Sequence, residues 1–132
     1  MTSPADGGGA DGTSLADARR FALALPETTE EPHFDMTSFR VRGKIFATVP
    51  ARGAHLHVFV GEAELQAAAS ELPRTCEPLV WGQRVRGLRV RLALAPRDLV
   101  CELLAEAWRR KAPARLRADL DRRNADQRDQ GP

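Results

Sequence analysis

The chain contains no tyrosine, two cysteines and two lysines among its 132 residues, and each shortage excludes something. With no Tyr, and with five Phe and two Trp that mostly fall where a core wants them, little is left to build the aromatic platforms on which single-stranded nucleic acid stacks. Cys76 and Cys101 are too few for a disulfide framework and fit a reducing cytoplasm with free thiols, although a single bridge between them stays open. No apolar run approaches the ~20 residues that a membrane-spanning helix requires. Met1 to Thr13 has neither a basic cluster nor an apolar stretch, so it does not read as a secretory signal. Its Gly7-Gly8-Gly9 follows no strand and opens no helix, and no other stretch resembles a phosphate-binding glycine loop.

What is present suits one ordinary globular domain. The composition is 42% hydrophobic and 29% charged, and a chain of this length holds one hydrophobic core. The predicted organisation is a flexible N-terminal tail over 1–13, one domain over 14–123 and a flexible C-terminal tail over 124–132. The protein is expected to be cytoplasmic and monomeric. Net charge is only +2, but all the basic residues except Lys44 and Lys111 are Arg. Arg suits bidentate phosphate recognition, and a GC-rich genome would produce the same excess.

Periodicity then places the elements. Ser14 caps a helix whose Leu15, Ala18, Phe21, Ala22 and Leu25 follow the 3.6-residue period, with Asp17 three residues on, until Pro26 stops it. Glu27 to Asp35 holds four carboxylates and no usable period, which predicts a loop. Ser38 to Arg42 and Lys44 to Val49 alternate around Gly43 as a hairpin, and His55 to Val60 makes a third strand. Gly61 opens a helix with Leu65, Ala68, Ala69 and Leu72 on one stripe, closed by Pro73. A weak strand over Pro78 to Trp81 and a turn over Gln83 to Gly87 precede Leu88 to Leu94, the cleanest alternation in the chain. Pro96 is expected to be the first residue of a helix that buries Leu99, Leu103, Leu104, Ala107 and Trp108. Leu116 and Leu120 predict a short helical extension, frayed from Asn124. Alternating strands belong to an antiparallel sheet with one covered face, so the expected fold is an α+β two-layer sandwich: about five strands with helices packed on one face.

Charge is segregated along this pattern. Met36 to Val60 contains Arg40, Arg42, Lys44 and Arg52 and no carboxylate. Pro78 to Arg97 contains Arg84, Arg86, Arg89, Arg91 and Arg97, again with none. Alternation puts Arg40 with Arg42, and Arg89 with Arg91, on shared faces. A cationic outer sheet surface attracts polyanions, so Arg40, Arg42, Lys44, Arg84, Arg86, Arg89 and Arg91 are the candidate contacts to the phosphate backbone of double-stranded DNA. A protein-interaction or small-anion module using the same face is the alternative, as is plain solvation of an open sheet.

Catalytic and metal readings have less behind them. His55 and His57 share a strand face and His33 with Asp35 could approach, but the ligand set is incomplete. Cys76 has Arg74 nearby and no local His, which favours a half-buried small residue over a nucleophile, and Cys101 beside Val100 is expected in the core. No catalytic residue, metal site or cofactor is therefore predicted.

The string from Phe34 through Phe39-Arg40-Val41-Arg42-Gly43-Lys44-Ile45-Phe46-Ala47 to Thr48, the Trp81 to Leu92 region, and Leu103-Leu104-Ala105-Glu106-Ala107-Trp108-Arg109 with Ala112-Pro113 together resemble the MmcQ/YjbR family over roughly residues 14 to 118. The resemblance implies a fold like that of the frataxin-related CyaY proteins. It also implies DNA binding through two hairpin wings, as members of that family are described. The acidic ridge of the frataxin relatives is not matched residue by residue at Glu27, Glu30 and Glu31, so a cation site is not carried over.

Overall fold

A computed structural model describes residues 12–129. Helix α1 (Leu15–Leu23) leads into four strands, β1 (Thr28–His33), β2 (Met36–Val41), β3 (Lys44–Val49) and β4 (His55–Val58). Helix α2 (Glu62–Glu71) follows, then β5 (Cys76–Trp81), β6 (Arg84–Arg91), a 3-10 turn at Leu92–Leu94, α3 (Arg97–Lys111) and α4 (Ala114–Asp129). The strands form one antiparallel sheet in the order β1-β2-β3-β4-β6-β5. The α+β two-layer architecture is as expected, with six strands in place of about five.

The additional strand is β1, in the segment expected to be a loop. It carries almost no apolar side chain because it is an edge strand, held on one side only by β2 with Thr28 opposite Val41 and His33 opposite Met36. Pro32 is tolerated there because an edge strand need not donate on both sides. At the other edge, the expected turn over Gln83 to Gly87 is only Gly82-Gln83, since Trp81 already pairs with Arg84. Gly82 supplies the positive φ, +64°, that the first central position of a II′ hairpin requires. Val85 looks like a turn residue in sequence because it is exposed in a strand that runs past the core.

One sheet face is apolar and covered. Phe39, Val41, Ala47, Leu56, Val58, Leu88 and Val90 are fully buried, and α3 crosses β2, β3 and β4 with Val100, Leu104, Ala107 and Trp108 against them. Each buried Val, Leu or Phe among them contributes about 1.5–3 kcal/mol by leaving water. The Trp108 indole donates from Nε1 to the Pro26 carbonyl at 3.0 Å, tying α3 to the start of β1. Helix α1 packs on α3 and α2 on β5. The Ser14 hydroxyl accepts from the Asp17 amide at 3.0 Å, as its capping role requires.

The boundaries move in four further places. Thr13 is buried and its hydroxyl donates to the Ala95 carbonyl at 2.8 Å, so this residue of the expected tail is part of the domain; residues 1–11, with Gly7-Gly8-Gly9, and 130–132 lie outside the described residues. Strand β6 ends at Arg91 and Leu92–Leu94 turns as 3-10. Pro96 is the cap of α3 and not its first residue. Helix α4 continues through Asn124 to Asp129, anchored by buried Leu116 and Leu120. No described helix is long and apolar enough to cross a membrane.

Candidate nucleic-acid interface

The uncovered sheet face is organised by register. Glu31 pairs with Ser38, Ser38 with Thr48, Thr48 with His57, His57 with Arg89 and Arg89 with Glu77. One polar side chain from every strand therefore lies in a single row across the sheet, and the row begins and ends on a carboxylate. Its middle is dry: Ser38, Thr48 and His57 are at most 8% exposed. Ser38 Oγ donates to the Glu31 carbonyl at 2.8 Å and accepts from Arg40 Nε at 2.9 Å. Thr48 Oγ1 and His57 Nδ1 are 3.4 Å apart. Burial, reinforced by Arg89 and His55, pushes the His57 pKa down to about 4, so the ring is neutral near pH 7.

This arrangement corrects the picture of a uniformly cationic face. Of the seven candidate cations, three are met by acids from neighbouring strands or loops. Arg40 Nε lies 4.0 Å from Glu31 and its Nη2 donates to the Pro32 carbonyl at 3.3 Å. Arg89 Nη1 lies 3.8 Å from Glu77. Arg42 does not share a face with Arg40: it sits in the β2–β3 turn at φ +52° and donates from Nε to Glu27 at 2.6 Å. That contact holds the Glu27 carboxyl below its ordinary pKa. Acid and base are segregated along the chain but not in space, because the strand read as a loop brings its glutamates beside β2.

The remaining four, Lys44, Arg84, Arg86 and Arg91, have no carboxylate within 4.0 Å among the described residues. Register divides them. The β2–β3 and β5–β6 turns are at the same end of the sheet, because β2 and β5 run parallel in space with β3 and β6 returning. Between the two hairpins stands only β4, which ends at Val58. With strands about 4.8 Å apart, β3 and β6 are separated by roughly 10 Å. Lys44, Arg84 and Arg86 belong to this end; Arg91 belongs to the opposite end of β6.

Beside the β5–β6 hairpin is a cleft of about 510 Å³ lined by Phe59, Gly61, Glu62, Trp81, Arg86, Arg110 and Lys111, among others. Its base is tight. A Cβ on Gly87 would stand 2.5 Å from the Val58 carbonyl oxygen and 2.9 Å from Phe59 Cδ1, so only glycine lets β6 pass there. Arg110 donates to the Phe59 carbonyl at 3.0 Å, and Arg109, Arg110 and Lys111 occupy the last turn of α3, where cations suit the helix dipole. Phe59 and Trp81 meet edge to face at 6.1 Å.

Sequence reasoning missed Arg110, Lys111 and Trp81. The basic run closing α3 was visible, but its position beside a hairpin 25 residues earlier at Arg86 was not. Phe39, Phe46 and Trp108 are buried and Phe21 packs against the core, as expected of most of the aromatics, whereas Trp81, 47% exposed, and Phe34, 90% exposed, are not core. Cys101 is exposed and Cys76 buried, the reverse of what was expected for Cys101; burial pushes the Cys76 thiol up to about 11, away from the thiolate that a nucleophile needs. Among the described residues no three His, Cys, Asp or Glu side chains converge as a metal site.

A family model described as YjbR matches residues 23–110. Among solved structures, the chain is similar to the crystal structure of Deinococcus radiodurans protein DR2400, a DUF419 domain, at 19% identity and TM-score 0.62, over 72% of this chain and 75% of that one. At that identity the likeness concerns the fold alone. No curated protein matches.

Proposed function

The chain belongs to the YjbR family, and on that premise we propose that it is a non-catalytic DNA-binding protein that holds duplex phosphates at the hairpin end of its sheet. Lys44, Arg84 and Arg86 are the principal contacts, with Arg110 and Lys111 beside them. The observation that carries this reading is the register: two hairpins at one end of the sheet flank a shorter strand and carry Lys44, Arg84 and Arg86, which have no carboxylate within 4.0 Å among the described residues. Arg and Lys held apart on two projecting ribbons neutralise backbone phosphates without needing to read bases. Contacts of this kind go to phosphates and not to base edges, so the expected binding is independent of sequence.

The three paired arginines are assigned a different role. Arg40, Arg42 and Arg89 each stand within 4.0 Å of a glutamate, Glu31, Glu27 and Glu77, so a duplex meets their charge partly offset at short range. The test is a fluorescence-anisotropy titration of a short duplex with wild type and with the Lys44→Glu, Arg84→Glu, Arg86→Glu triple variant. Binding by wild type and its loss in the variant is the expected result. Identical curves, or tighter binding of a matched single strand than of the duplex, would remove the proposal.

A further inference from the structure

The far end of β6 holds a second cationic feature that duplex binding does not use. A cavity of about 260 Å³ is lined by His55, Arg74, Thr75, Glu77, Arg89 and Arg91 together with Pro73 and Cys76. Register explains the assembly: His55 is opposite Arg91, His57 is opposite Arg89, and the Arg91 amide bonds the Thr75 carbonyl at 2.8 Å. Arg74 follows from the adjoining loop. Three arginines thus line one cavity with a single carboxylate, Glu77, which stands at 3.8 Å from Arg89, an ion-pair distance too long for a hydrogen bond.

Two further observations show that positive charge accumulates here without being satisfied. Arg89 Nε is buried and has no acceptor, and a desolvated donor without a partner is unfavourable. His55 titrates below its ordinary value, first through burial and then through the charges of Arg89 and Arg91. We propose that this cavity binds a phosphate group, either as the inorganic ion or as the terminal monoester of a small metabolite. A tetrahedral dianion offers the acceptors that three guanidinium forks lack. The volume suits a phosphate with a small substituent and is below that of ordinary drug-sized pockets.

Binding should couple to His55. A dianion beside the ring favours the imidazolium, so bound phosphate raises the His55 pKa, while the ligand takes up its own second proton at about pH 6, and the pH dependence of affinity is the balance of the two. The other groups facing His55 are Arg89 and Arg91 from β6, Arg74 from the loop, Glu77 from β5, His57 as the neutral neighbour on β4, and Cys76, protonated with its thiol pushed up to about 11.

The experiment follows the His55 ring by NMR through a pH titration with and without inorganic phosphate, chloride holding ionic strength constant. The expected result is a saturable rise of about one pKa unit with phosphate and none with chloride. Arg74→Gln and Arg91→Gln, both at exposed positions, should each weaken binding about tenfold or more. Tighter binding of inorganic phosphate or of a 5′-mononucleotide supports the site and identifies which source it takes. A His55 titration indifferent to phosphate, or one that responds equally in Arg91→Gln, overturns the proposal. The Lys44, Arg84 and Arg86 variant should retain phosphate binding, so the two proposals fail separately.

Discussion

Salt dependence separates the hairpin end from the paired arginines. If Lys44, Arg84, Arg86, Arg110 and Lys111 each neutralise one phosphate, the slope of log K against log salt is about −0.9 per contact, roughly −4.5 in all. Raising salt from 50 to 200 mM then lowers affinity about 500-fold. Changing Lys44, Arg84 and Arg86 to Gln leaves two contacts and a slope near −1.8, so the same change in salt costs only about 12-fold. Changing Arg40, Arg42 and Arg89 to Gln removes the same formal charge from groups that already face Glu31, Glu27 and Glu77, and the slope should change by less than about one unit. Anisotropy titrations of one duplex at four salt concentrations provide all three slopes. If the two triple variants gave equal slopes, the distinction between paired and unpaired cations would be wrong, and the whole sheet face would have to be the interface.

Three further outcomes follow from the packing. Trp108→Phe removes the donor to the Pro26 carbonyl while keeping most of the buried ring, and should cost about 1–3 kcal/mol in urea unfolding; no measurable loss would mean that the bond does not secure α3. His57 has a folded pKa of about 4 against roughly 6.5 unfolded, so between those values the unfolded state binds the extra proton. Stability is full above pH 6.5 and falls as pH drops, by about 2 kcal/mol from pH 7 to pH 5, with His55 adding in the same direction; a His57→Gln variant that kept the whole slope would contradict this. Cys101 is exposed and Cys76 buried, so one thiol should react with Ellman's reagent in the native protein and two after denaturation. Equal rates for both thiols would show that the core around Cys76 opens.

The helices and most strands were legible because the apolar periods of Ala18–Ala22, Leu103–Trp108 and Leu88–Val90 match the faces they bury. Strand β1 was not, since a strand paired on one side and facing solvent needs no apolar period, and Glu30 and Glu31 read as a loop until β2 stands beside them. The β5–β6 hairpin tip was misread because Val85, beyond the core, carries no burial pattern.

The charge pattern divides in the same way. Sequence alone determined which segments are rich in Arg and poor in acid, because that is a property of neighbours along the chain. Tertiary structure decided which of those cations have partners, because an ion pair depends on distances of a few ångströms through space. Pairing β1 with β2 and β5 with β6 brought a carboxylate within 4.0 Å of Arg40, Arg42 and Arg89, hydrogen-bonded only in the case of Arg42, and the antiparallel register placed Lys44, Arg84 and Arg86 at one end and Arg91 at the other.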